Sequence, residues 1–275
     1  MQEIVIEAGR TAKNYWKDLW RFKELLLILA LRDVTVRYKQ TSIGILWAII
    51  RPVMMMMVFV FAYDKVAKIK DDSNVKYQVI IFSGILLWNF FATALQQVSN
   101  SITGNSNLVS KVYFPRLIMA ISSISVALVD FLVGLVVLIP MLCYYGYYPD
   151  WNMLMIPFFL ALTAMAAFSL GLIFAVLNVK YRDFQQIVPL VVQYGFFVCP
   201  VVYSVSKFQD EWWFKYYSIL NPLSGIIEGF RWSTIQNYAY FQWSSFVPSL
   251  VFVIITTFIS IVFFRKKENS FVDFI

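Results

Sequence analysis

The 275-residue sequence contains no histidine. That removes the commonest general base and the commonest metal ligand from consideration. Only two cysteines occur, Cys143 and Cys199, both within apolar stretches. Two isolated thiols make neither a disulfide framework nor a metal motif, and two small buried hydrophobes are the simpler account. Charge is scarce: Asp, Glu, Lys and Arg make up 14% of the residues, against ~25% in soluble domains. No G-x-x-x-x-G-K-[ST] run is present, so the chain does not cradle nucleotide phosphates in that way. Paired carboxylates, a nucleophile elbow and metal-ligand spacings are missing too, which counts against an integral glycosyltransferase. No internal repeat is visible, which weakens the transporter classes built from two similar halves.

What the sequence has is hydrocarbon. Apolar residues make up 60% of it, concentrated in Ile43–Tyr63, Tyr77–Val98, Leu117–Tyr145, Met155–Leu177, Ile187–Tyr203 and Phe246–Phe264. A bilayer core requires ~20 mostly apolar residues per helix. Five stretches reach that length or nearly so; Ile187–Tyr203 is at the short limit and carries Pro189, Gly195 and Pro200. The expected fold is an all-α integral membrane protein with six transmembrane helices. Residues 1–42 form a cytoplasmic N-terminal region, 43–264 the membrane domain and 265–275 a cytoplasmic tail. The opening decapeptide is polar and mixed in charge, with no apolar signal region, so the N-terminus is expected in the cytoplasm.

Basic residues divide fifteen to seven between the two sides of this layout, and Arg51 lies inside the first span. The positive-inside rule then places both termini, Asn105 and Lys267 in the cytoplasm and Ser73 outside. Topology explains the net charge of +7, so no nucleic-acid partner is expected. In residues 13–31, Lys13, Lys17 and Arg21 recur on one helix face, and Trp16, Leu19, Trp20 and Leu27 fall largely on another. That pattern describes an amphipathic helix lying in the cytoplasmic interface.

Several polar groups inside the apolar stretches have two readings. Arg51 either snorkels to the cytoplasmic surface or faces a protein interior. Pro52, beside it, loosens the helix. Met54–Met57 reads as flexible packing rather than a ligand box. Asp130, mid-way along the third span, is costly by ~2.5–3.5 kcal/mol, so it is expected to face the bundle or be protonated; a structural role, hydrogen-bonded to neighbouring Ser or Thr, ranks above a proton relay. In the loop 99–116, Asn107 is expected to cap a short helix running to Phe114, with exposed aromatics fit for a docking partner. Within residues 208–236, the stretch between Ile219 and Trp232 is apolar but too short and too polar to span. It reads as two short re-entrant helices, the second starting at Asn221-Pro222, with Glu228 and Arg231 able to pair three residues apart.

The order of these parts resembles the transmembrane subunit of ABC exporters for bacterial surface polysaccharides: O-antigen, teichoic acid and capsule. The resemblance rests on Arg32 to Thr41 leading into Gly44-Ile45-Leu46-Trp47 and Arg51-Pro52. It continues through Leu108-Val109 to Pro115-Arg116, Lys180-Tyr181-Arg182-Asp183, Pro200 to Tyr203, Asn221-Pro222-Leu223 and the ending Phe271 to Ile275. It implies a homodimer in the bacterial inner membrane with two copies of a separate ATPase subunit. ATP and Mg would bind that partner and no cofactor this chain, which is not itself an enzyme. It implies export of a lipid-linked polysaccharide, O-antigen by the form of the ending. ATPase docking falls to Leu108, Lys111, Tyr113 and Phe114, and an external gate to Asn221, Pro222, Glu228 and Arg231. Trp47, Tyr194, Phe197 and Tyr203 are candidates for the transport path, where rings stack on sugars. The alternatives are an ABC exporter of drugs or lipids, a membrane glycan-synthesis enzyme or scaffold, and a channel.

Overall fold

The computed structural model describes residues 11–39, 43–62, 75–112, 114–181, 183–208, 211–236, 238 and 241–271. Among these residues the fold is all helical. The helices are α1 (Thr11–Arg21), α2 (Lys23–Lys39), α3 (Trp47–Val60), α4 (Tyr77–Asn100), α5 (Ser106–Lys111) and α6 (Leu117–Tyr144). They continue as α7 (Ile156–Lys180), α8 (Phe184–Val198), α9 (Phe214–Leu220), α10 (Pro222–Thr234) and α11 (Trp243–Lys267).

Among the described residues, four helices are long and apolar enough to cross a bilayer: α4, α6, α7 with the 3-10 turn before it, and α11. The first expected span is divided differently. Its apolar residues form α3, which joins α2 at an angle of 88°, and the pair counts as a fifth span only when taken together. Gly44, between the two helices, has φ +58° and empty space around its Cα. Substitution there is disfavoured by backbone conformation alone. The fifth expected span is α8, with 15 residues, below the ~20 that a span requires. Against the six spans expected, the described residues hold four helices long enough to cross, five if the bent pair is one span, and one shorter apolar helix.

α4 is the axis of the bundle. It packs most extensively on α6 and α7 and is buried on nearly all sides, whereas α11 and α6 expose most of their apolar length. Close approach is possible where side chains are absent. Gly134 of α6 receives Leu86, and Gly195 of α8 receives the ring of Trp88, whose Cη2 would lie 2.8 Å from an added Cβ. Phe196 completes that seat, with its ring 6.1 Å from Trp88 and 5.3 Å from Phe59 of α3.

The helix expected over 13–31 is divided at Phe22 into α1 and the first half of α2; the amphipathic pattern belongs to α1, whereas α2 packs on α6. Tyr15 is buried, while Trp16 and Trp20 are exposed with Lys23 over the Trp20 ring. Exposed indole beside ammonium suits the headgroup layer of a bilayer. The short helix of the loop 99–116 is α5. Its N-cap residue is Asn105 rather than Asn107, and Asn105 makes no capping bond. Its Oδ1 instead accepts from Arg32 Nη2 at 2.8 Å, which ties this loop to α2.

Candidate translocation elements

The two short helices before the last span are α9 and α10. Asn221 caps α10, its Oδ1 accepting from Leu223 N, with Pro222 in the first turn. The Val198 carbonyl, which would be an orphan at the end of α8, accepts from Tyr203, Tyr217 and Asn221. Arg231 is fully buried. Its Nη1 donates to the Tyr203 carbonyl (2.8 Å) and to Glu228 Oε1 (3.0 Å). Its Nη2 donates to the carbonyls of Ile80 (3.1 Å) and Val201 (2.7 Å). All four terminal N–H groups are used. Glu228 also accepts from Val205 N and from the Tyr238 hydroxyl. The Glu228–Arg231 pair expected from sequence is present, but it faces the core. It fastens α10 to α4 and to the 199–205 segment rather than lining an aqueous mouth.

A second polar cluster joins α2 to α6. Arg37 Nη2 lies 2.6 Å from Asp130 Oδ2, and the Tyr38 hydroxyl donates to Asp130 Oδ1. The cluster borders a cavity of about 320 Å³ lined by α2, the first turns of α3, α4 and α6. Arg51 lines it, with its guanidinium 5.6 Å from the Trp47 ring. Arg51 lines this cavity while remaining exposed, a position that agrees with either of its two readings. Asp130 has a cationic partner in Arg37.

One end of the bundle is held by both ends of the described chain. Phe271 is buried against Phe264, with ring centroids 5.3 Å apart, and Arg116 lies over its other side at 5.8 Å. Glu268 Oε1 accepts from Arg116 N at 2.7 Å, and Arg265 rests 4.5 Å from the Tyr15 ring. Burial is the main cause that raises the Glu268 carboxyl above its ordinary 4.5, with the Arg116 amide opposing it. The same burial, with Glu268 alongside, raises the Tyr15 phenol. A raised folded-state value means that Glu268 favours the docked turn when protonated. This contribution is lost as pH rises through and above the ordinary carboxylate range. Cleavage of the C-terminal turn by an added protease is therefore expected to increase as pH rises upward from the ordinary carboxylate range. Glu268→Gln should flatten that profile, and an unchanged profile in the variant would refute this role.

The docking residues divide. Lys111 is exposed and Leu108 half-buried. Phe114 is buried in one cluster with Val109 and Phe271, so the exposed aromatic expected there is absent at this position. Tyr113 lies outside the described residues. Val112, which sequence reading passed over, is exposed instead.

Residues 24–235 match the ABC-2 type transporter family. The chain belongs to this family. It is 27% identical over 215 residues to the O-antigen export system permease protein RfbA of Myxococcus xanthus, covering 78% of this chain and 82% of that one. It is 25% identical over 251 residues to the permease of the same name from Klebsiella pneumoniae, covering 91% and 94%. With the polysialic acid transport protein KpsM of Escherichia coli it shares 22% over 249 residues, covering 88% and 93%.

In this ABC-2 transporter chain the four candidate path residues are spread over two helices and a loop. Tyr194 and Phe197 are exposed on one face of α8, together with Gln186, Leu190 and Gln193. Trp47 is exposed at the start of α3. Tyr203 differs: its hydroxyl bonds to Val198 O and Tyr217, and its ring packs on Phe208, which ties it to the segment around α9. Sequence reading missed Tyr238 as a Glu228 partner and Arg37 as the Asp130 partner. Only the second left a signal: a carboxylate deep in an apolar helix requires a cation.

Proposed function

We infer that this chain is the membrane subunit of an ABC exporter that moves a lipid-linked surface polysaccharide, O-antigen in the first instance, across the bacterial inner membrane. The observation that carries this is the family match together with named O-antigen export permeases aligned over nearly the full length of both chains. The subunit is not an enzyme; ATP hydrolysis belongs to a separate ATPase, which Lys111, Val112 and Leu108 are placed to meet.

The finer reading is a six-span protomer paired as a homodimer. In it the α2–α3 pair and α8 both cross the membrane. α8 supports this: glutamines in its exposed stripe are poorly suited to lipid, and they suit a second protomer or a wet path between protomers. α9 and α10 then sit at the outer face as a gate. Disruption of the gene should remove surface polysaccharide while leaving its lipid-linked precursor inside the cell. Intact surface polysaccharide would sink the export reading.

The topology is tested separately. In a background of Cys143→Ser and Cys199→Ser, an impermeant maleimide should label Asp150→Cys in intact cells. Asn105→Cys and Lys267→Cys should label only after lysis. Labelling of either from outside would overturn cytoplasmic termini.

A further inference from the structure

The cavity between α2, α3, α4 and α6 has the composition of a site for an amphiphilic anion. Its cations are Arg37 and Arg51 and its one acid is Asp130. Asp130 engages Arg37, and Arg51 has no ion-pair partner among the described residues. The balance is one uncompensated guanidinium.

Two neutral donors face the same space. Asn89 and Thr93 of α4 line it and make no side-chain hydrogen bond among the described residues. Thr93 is unusual in this. Ser83, Thr163, Thr234 and Thr256 all return their hydroxyls to a carbonyl of their own helix. The remaining wall, including Pro52, Met55, Leu86, Phe90 and Phe131, is apolar.

Depth sharpens the point. α6 has 28 residues, so at 1.5 Å per residue it is ~42 Å long, with Asp130 ~20 Å from its first residue. Wherever a ~30 Å hydrocarbon core falls along it, Asp130 lies at least about 8 Å inside. A bulk phospholipid keeps its phosphate at the surface, so an anion at this level needs protein groups to replace water.

We propose that this cavity takes the phosphate or diphosphate group of the lipid carrier of the exported glycan, with its first chain atoms against the apolar wall. Arg51 is the counter-ion, Asn89 and Thr93 donate to the anion, and Trp47 braces the Arg51 guanidinium. Asp130 holds Arg37 in place while the site is empty and competes with the anion for it. That keeps binding weak enough for release. The proposal rests on the export reading for the identity of the lipid but not for the site's chemistry.

The test uses the purified full-length protein in neutral detergent and reads ligand binding by Trp fluorescence and by heat stability. The probes are a C20 prenyl diphosphate, the corresponding neutral prenol, dioleoyl phosphatidylglycerol and inorganic pyrophosphate. The prenyl diphosphate should bind and stabilise. Arg51→Gln should weaken it at least tenfold, and Asn89→Leu or Thr93→Val severalfold. Asp130→Asn should tighten it. All variants must elute from gel filtration as the native protein does; Arg51→Lys, keeping the charge, should retain more binding than Arg51→Gln.

Equal binding of the prenol would overturn the anion site. Phosphatidylglycerol binding as tightly, with the same Arg51 dependence, would overturn the carrier assignment in favour of a bilayer lipid. Pyrophosphate alone binding as tightly would remove the apolar wall from the argument. No binding by any probe would refute the site. Should gene disruption leave surface polysaccharide intact while diphosphate binding still depends on Arg51, the export reading fails and the site stands.

Discussion

Arg231→Met should be the most damaging single substitution in the outer half of the protein. It removes the donor from the Tyr203 and Val201 carbonyls and the ion-pair partner from the buried Glu228 carboxylate, while the Ile80 carbonyl keeps the Ser83 hydroxyl. Breaking a buried pair from one side costs roughly 3–5 kcal/mol. For a chain of this size, each kcal/mol corresponds to ~2–4 °C, so heat resistance in detergent should fall by about 10 °C. Arg231→Lys should recover little, because an ammonium cannot present four donors in a plane. The informative variant is Arg231→Met with Glu228→Gln, which removes the orphaned charge. It should regain part of the loss, measured as monodisperse protein surviving a heat step. A double variant no better than Arg231→Met would show that the carbonyls, not the carboxylate, set the cost.

The second large effect is expected at Gly225. α10 carries Gly225 and Gly229 four residues apart, and each meets a different neighbour. A Cβ on Gly225 would lie 2.7 Å from Phe246 Cα and from the Ser245 carbonyl carbon. Both are backbone atoms of α11, which can move only if the helix moves. A Cβ on Gly229 would meet the ring of Phe159, which can tilt. Overpacking in a tight contact costs ~1–3 kcal/mol. Gly225→Ala should therefore sit at the top of that range and Gly229→Ala at the bottom. The comparison is made on membrane protein level, heat resistance and surface polysaccharide in one strain background. Equal effects, or the reverse order, would mean that α10 is not seated on α11 in this way.

The long helices were legible from apolar length alone. α4, α6, α7 and α11 fall within a few residues of the expected stretches, because a bilayer imposes one length on every spanning helix. Asn221-Pro222 was legible as a helix start because a capping side chain and a proline at the first position act locally. The break between α2 and α3 was not, since Arg32 to Lys39 reads as a polar lead-in until Arg37 meets Asp130, 93 residues away. Phe114 was misread for the same reason. Its burial is decided by Phe264 and Phe271, which no local pattern reveals. Among the site residues, Glu228 and Arg231 were visible as a pair. That they face inward depends on carbonyls of Ile80 and Val201, which belong to distant segments.

The burial of α4 bears on how the chain is made. It is the least apolar of the four long helices, with mean hydropathy 1.7 against 2.7 for α6. It also leaves the ribosome before the helices that cover it. A nascent α4 has only lipid for company, and Asn89, Thr93, Gln96 and Gln97 suit lipid poorly. Stable integration then waits on the synthesis of α6 and α7, whose arrival replaces lipid by protein around it. Truncation after α4 should thus give a product that slips back or is degraded, and truncation after α7 one that stays.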